Sequence, residues 1–317
     1  MQRIRDFQIV RELGRGEFGI PYEAYEAIDP VLEQRVVLEV LNPKLMAQSK
    51  VAASIVEDVH NLARMSHPSV RKLYEFFQLE DSYCLVLEHA EGTPLQTIID
   101  NERLTLGKAI SILIDIADGL AYLHEHDLIH CNIQPENILL RKDNPAMITD
   151  FGLAKFFEAN NATTDRLPTR NANYVSPEQA KHHFSPAVDV YALGVLAYQM
   201  ITGQLPFAVE TTIQGLLIRL NESSPQLTNL LPDIPRSLSD LIAKTLEIDP
   251  AQRPQAREVV ERLKMIQEEI QDAKLDDKIF YISSVESMRH GVEVKATYTM
   301  GSKVAQPLID EFIYIDE

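Results

Sequence analysis

His130-Cys131-Asn132-Ile133-Gln134-Pro135-Glu136-Asn137, with Asp150-Phe151-Gly152 beginning thirteen residues beyond Asn137, is the stretch that decides the reading of this chain. An imidazole, three amides and a carboxylate fall within one short span, with a proline to pin the loop. Asn137 closes the first of these stretches and Asp150 opens the second. As structure alone they are a loop-capping Asn and an Asp ahead of a turn. Upstream, Gly14-Arg15-Gly16-Glu17-Phe18-Gly19 separates two apolar, β-branched runs, Phe7 to Leu13 and Val36 to Leu41. No helix opens straight after the third glycine, so the context does not suit a dinucleotide fold. Strand, loop and strand instead suit a flap over nucleotide phosphates, where missing side chains let backbone amides approach the oxygens.

The pattern around these motifs changes once along the chain. The first ninety residues read as strands with a single helix, Val51 to Met65, whose apolar residues Ile55, Val59, Leu62 and Met65 fall at helical spacing before His67-Pro68. Two further strands, Arg71 to Leu79 and Tyr83 to Leu87, are joined by a turn at Glu80-Asp81-Ser82. After Glu91-Gly92 the pattern becomes helical. Leu106 to His124 is a long amphipathic run, Val190 to Ile201 an apolar core helix with a glycine C-cap at Gly203, and Ser237 to Leu246 and Ala256 to Ile266 are two more helices. Gln267 to Lys278 is charged and linker-like. Ile279 to Val285, Val292 to Met300 and Phe312 to Ile315 are strand-like.

Composition bounds the function. The chain has 317 residues, 45% hydrophobic and 24% charged, an ordinary globular balance. The 30 Lys and Arg against 47 Asp and Glu give a net charge of -17, which argues against nucleic acid or an anionic membrane as a general partner. Two separated cysteines, Cys84 and Cys131, make neither a disulfide framework nor a zinc site and fit a reducing compartment. The longest apolar stretch, Val190 to Ile201, is too short to span a bilayer, and Met1 to Val10 has no secretory h-region. A soluble cytoplasmic protein is expected.

Ser176-Pro177-Glu178, Asp189-Val190-Tyr191-Ala192-Leu193-Gly194 and Asp249-Pro250-Ala251-Gln252-Arg253-Pro254 follow the two opening motifs in order. With this set the chain resembles the eukaryotic-type protein kinases, particularly their bacterial serine/threonine members, over roughly residues 7 to 266. The resemblance implies an α+β, two-lobed fold: a small antiparallel β-rich lobe with one helix (about 1–90) and a larger helical lobe (about 91–266). Residues 267–317 are then a linker and strand-like extension. It implies ATP with Mg²⁺ as cofactor, Asn137 and Asp150 as metal ligands, and Leu13, Gly14, Gly16, Gly19, Val37, Glu88, Ala90 and Leu139 as the nucleotide's surroundings.

The chemical positions depart from that pattern. Val36-Val37-Leu38-Glu39 puts a glutamate where the family's phosphate-holding lysine belongs, and His130-Cys131-Asn132 puts an amide where its catalytic aspartate belongs. Gln134 replaces the loop lysine. The helix acid that pairs with the lysine aligns with Asp58, beside Glu57, so an acid faces an acid. A unit charge pair at about 4 Å and an effective dielectric near 20 is worth roughly 4 kcal/mol, so reversing one sign moves the interaction by up to about twice that. An amide cannot take the proton of an attacking hydroxyl, a role typically worth ~10²–10⁴-fold. Val37 for a smaller alanine and Pro21 for a valine narrow the pocket further, and Glu39 is expected to be its main obstacle to a nucleotide.

The scaffold positions match the family. Leu62, Leu73, His130 and Phe151 form its stacked column, Asp189 anchors the catalytic loop, and Glu178 and Arg253 form a buried ion pair. Regulatory positions differ: Cys131 stands where an arginine receives an activation-loop phosphate, and Arg170-Asn171 precede Tyr174 in place of Gly-Thr. Thr163, Thr164 and Thr169 are loop hydroxyls open to another kinase, and Cys131 reads as a buried, inert thiol. Intact scaffold and altered chemistry resemble a pseudokinase: a regulatory or scaffolding module for a protein partner, with ATP and Mg²⁺ held weakly or not at all. Two alternatives stand beside it, an ATP-dependent phosphotransferase rewired around Asp150, Asn137 and Glu39, and a nucleotide sensor without turnover.

Overall fold

The computed structural model describes residues 3–15, 22–31, 33–41, 49–80, 82–150, 173–207, 224–286 and 295–302. Gly16, Gly19, Pro21, Phe151, the loop threonines, Arg170, Asn171 and the stretch from Phe312 to Ile315 lie outside them. The first lobe is one antiparallel sheet of β1 (Arg3–Ile4), β2 (Phe7–Arg15), β3 (Tyr22–Ile28), β4 (Arg35–Leu41), β5 (Leu73–Leu79) and β6 (Ser82–Glu88), in the order β1-β2-β3-β4-β6-β5. Helix α1 (Ser49–Leu62) is inserted between β4 and β5.

Alternation along β4 divides the lobe. Val36 and Leu38 join Phe7, Tyr25, Ala27, Cys84 and Val86 in a small core on one face. Val37 and Leu41 point the other way, into the main core with Val59, Leu62 and Leu73. Glu39 shares their parity and is therefore carried to that inner face, where it is 7% exposed.

Strand β3 escapes the sequence reading because Glu26 sits in its middle. The structure buries Glu26 to 1% exposure and answers its charge from both neighbouring strands, with Arg11 Nε and Arg35 Nη1 each donating at 2.6 Å. Strand β5 begins at Leu73 rather than Arg71. The Arg71 amide donates to the Ile148 carbonyl at 3.0 Å, and Val70 bridges Ile148 in parallel, so this segment belongs to the joint between the lobes. Helix α1 ends at Leu62, with Ala63 to Met65 forming a turn ahead of His67-Pro68.

The second lobe is built on α3 (Leu106–His124), which follows the two-residue β7 (Thr93–Pro94) and α2 (Leu95–Asn101), and on α4 (Pro186–Thr202). Thr105 caps α3 by accepting from Lys108 N at 3.2 Å. Helix α4 is buried on nearly every face and stops at Gly203 with φ 74°, the left-handed cap that glycine adopts without strain. Short strands β8 (Ile138–Leu140) and β9 (Met147–Ile148) pair beside β7 and deliver the two motif loops. Helices α5 (Leu227–Leu230), α6 (Arg236–Thr245) and α7 (Ala256–Asp272) complete the lobe. Helix α7 continues past Ile266, because Ile270 is fully buried and extends the apolar stripe through the charged residues read as linker. A hairpin of β10 (Lys278–Glu286) and β11 (Lys295–Ser302) follows, with β10 lying against α4 and α3. The result is the two-lobed α+β architecture that the motifs imply.

Candidate functional site

The loop after α3 is held from beneath by one carboxylate. Asp189, on α4 and wholly buried, accepts from His130 N at 2.8 Å and Cys131 N at 2.7 Å, and His124 Nε2 lies 2.9 Å from it. This hold keeps Cys131 at φ 63°, a conformation few side chains adopt unaided. Cys131 is buried, and its carbonyl accepts from Gln179 Nε2 at 3.0 Å. Burial pushes the His130 imidazole below the ordinary range. Its tautomer follows from its partners: the Thr149 carbonyl 2.9 Å from Nε2 only accepts, so Nε2 carries the proton, and Nδ1 accepts from Asn132 N at 3.2 Å.

Three amides then stitch the loop to Asp150. Gln134 Nε2 donates to Asn132 Oδ1 at 3.2 Å, so the two altered positions are bonded to each other. Asn137 Nδ2 donates to the Asn132 carbonyl at 2.9 Å, and the Asn137 carbonyl accepts from Thr149 N at 2.8 Å and from Thr149 Oγ1 at 3.2 Å. The residue next to Thr149 is Asp150, held at φ 54°. Because the Asn137 nitrogen is committed to a carbonyl, its amide oxygen is the atom it offers a cation. That oxygen and the Asp150 carboxylate are a hard donor pair, which fits Mg²⁺ completed by phosphates and water. They would hold the ion, and the ion would supply charge for the phosphates.

The position that would meet those phosphates does not fit them. Glu39 lies at an inner-face position of β4, and its carboxyl is pushed up to about 7, by burial first and by the nearby Asp150 charge second. Burial also raises Asp150, with Arg71 and His130 pulling back. Besides burial, the charges that move Glu39 are those of Asp150, which raises it, and Arg71, which lowers it.

Arg71 is the residue that sequence reading missed. Its Nη1 lies 3.5 Å from Glu39 Oε1, and its Nε donates to the Glu88 carbonyl at 2.9 Å. Its side chain is only 11% exposed. One signal was available, an arginine between the apolar Val70 and Leu73 at the entry to β5, where burial obliges a charge to find a partner.

The other expected nucleotide contacts lie where the sheet register puts them. Val37 is buried and pairs with Leu87 across β4 and β6, and Val36 pairs with Glu88. Leu139 lies on β8 opposite Pro94 and Met147, and Ala90 is half-buried just beyond β6. Leu13 is 42% exposed on β2, followed by Gly14. Glu178 and Arg253 form a two-pronged pair, Nη1–Oε1 2.5 Å and Nη2–Oε2 2.9 Å, well away in sequence from the loops above.

Comparison with known proteins agrees with this arrangement. A protein kinase domain family matches residues 7–263. The chain is 28% identical over 246 residues to the probable serine/threonine-protein kinase PknB of Lactococcus lactis, an alignment covering 77% of this chain and 39% of that protein. It is 27% identical over 290 residues to serine/threonine-protein kinase PrkC of Bacillus subtilis, covering 91% and 44%. It is 30% identical over 254 residues to serine/threonine-protein kinase PknA of Mycobacterium tuberculosis, covering 78% and 58%. The aligned part of this chain thus spans between about two fifths and three fifths of these relatives' lengths.

Proposed function

This chain belongs to the protein kinase family of bacterial serine/threonine type, and we propose that it works within that family as a pseudokinase, a kinase-shaped module that regulates or scaffolds a protein partner. One observation carries the reading. At the place where the family takes up the hydroxyl proton stands Asn132, an amide whose oxygen accepts from the Gln134 amide. Neither group has a basic oxygen to offer, and general-base assistance is typically worth ~10²–10⁴-fold. Glu39 adds an acid where the family has a cation to hold the phosphates.

The scaffold supports the same reading. Asp189, His130 and the Glu178–Arg253 pair keep the two loops and the helical lobe in place, so the fold is preserved while its chemical groups are altered. A protein partner fits a domain family that acts on proteins, and the net charge of -17 disfavours nucleic acid. No helix among the described residues is long and apolar enough to cross a membrane. A cytoplasmic location is part of the proposal.

Incubation with labelled ATP, Mg²⁺ and general protein acceptors tests it. Incorporation should match that of denatured protein. Robust autophosphorylation that Asp150→Ala abolishes would instead establish the rewired phosphotransferase, a reading favoured by the retained Asn137 and Asp150.

A further inference from the structure

Arg71 gathers groups that a nucleotide would otherwise meet. The resemblance assigns Glu88 to the nucleotide's surroundings, position 39 to its phosphates and Asp150 to its metal ion. One guanidinium serves two of them directly: Nε donates to the Glu88 carbonyl at 2.9 Å, and Nη1 stands 3.5 Å from Glu39 Oε1. The backbone that carries it is fixed as well, by the bond from its amide to the Ile148 carbonyl two residues before Asp150. A planar fork with several donors is suited to hold a carbonyl and a carboxylate together, which a lysine ammonium is not.

We propose that Arg71 is a built-in occupant of the nucleotide cleft, an internal cation that replaces the ligand and its metal rather than receiving them. Position 39 explains why it is retained. With an acid in place of the lysine, Glu39 and Asp150 are two buried carboxyls with no family cation between them, and a buried charge without a partner is costly. Arg71 supplies the missing positive charge from the turn before β5. In doing so it joins the inner face of β4 to the end of β6, while its own amide is bonded to Ile148, two residues before Asp150.

This inference rests on the assignment of the cleft above, and its test separates it from the pseudokinase reading by measuring binding rather than turnover. Removing a cation from a phosphate site weakens binding by charge alone, whereas removing an occupant strengthens it. The two roles therefore predict opposite signs. The experiment titrates a fluorescent ATP analogue, with and without Mg²⁺, into the Glu39→Gln variant and the Glu39→Gln/Arg71→Met double variant, each checked for cooperative melting. Both proteins carry Glu39→Gln, so neither has a carboxyl at position 39 that losing Arg71 could strand, and the comparison reads the effect of Arg71. The double variant should bind at least tenfold more tightly. Equal or weaker binding overturns the proposal, weaker binding making Arg71 a phosphate ligand. If the double variant fails to melt cooperatively, Arg71→Lys in the otherwise unchanged chain decides. It keeps the charge while giving up the fork, and should bind severalfold more tightly than the parent; unchanged or weaker binding overturns the proposal. Phosphotransfer by the parent chain would refute the pseudokinase reading alone and leave this comparison standing.

Discussion

Glu39 shows how one substitution at an otherwise ordinary strand position alters a site. The alternation of β4 brings any residue at position 39 to the inner face, and burial then acts on whatever charge it carries. Its carboxyl is held at about 7, against an ordinary value near 4.5, because burial and the Asp150 charge both disfavour ionisation while Arg71 favours it. A folded value above the unfolded one means that the native state binds more protons between those values, so stability falls as pH rises through that window. Melting temperature should decline from about pH 5 to pH 7.5, and Glu39→Gln should flatten that decline. A slope unchanged by Glu39→Gln would show that other groups govern it. The substitution itself was legible from the Val36-Val37-Leu38-Glu39 alignment. Its neighbours were not: Arg71 reaches Glu39 across 32 positions of chain, and no local pattern encodes that meeting.

Elements were legible where one physical signal dominated. Leu106 to His124 has a continuous apolar stripe behind a threonine cap, and the observed α3 has those same limits. Helix α4 declared itself by unbroken apolarity and by Gly203. It also packs tightly: a Cβ at Gly194 would run into Thr245 of α6, so only glycine permits that approach. Strand β3 was hidden because a buried glutamate contradicts the strand pattern unless Arg11 and Arg35 on the flanking strands are already known. The Glu178–Arg253 pair was legible as motif, and the structure shows what it joins. Arg253, with no exposed side-chain surface, also donates to the carbonyls of Glu247, Ala187 and Ile248 and lies over the Tyr191 ring at 4.8 Å. Arg253→Ala should therefore cost about 3–5 kcal/mol, since it strands Glu178 as well as three carbonyls. Glu178→Gln, which keeps an acceptor, should cost less. Urea unfolding of the two variants measures both, and equal, small losses would show that the pair is incidental to the fold.

On the scale of the whole molecule, the question is how far the helical lobe extends. The motifs end near Arg253-Pro254, and the charged run from Gln267 reads as departure from the body. The packing runs further. Ile270 is completely buried on α7, Leu275 lies against the main core, and Phe280, early in β10, is 3% exposed within it. The Asp276 carbonyl accepts from Gly107 N at 2.9 Å, covering one of the amides that the first turn of α3 leaves without a helical partner. These residues close the lobe around the helix whose far end leads into the His130 loop. Side chains such as Ile and Phe contribute roughly 1.5–3 kcal/mol each when fully buried, so a chain ended at residue 266 should lose about 3–6 kcal/mol relative to one ended at residue 302. Leu275→Ala, which leaves α7 and the hairpin in place, should lose a smaller share. Chemical denaturation of the three proteins gives the comparison. If the chain ended at residue 266 unfolds at the same denaturant concentration as the longer one, the extension is a separate attachment, and the stability of the loop-bearing lobe is complete without it.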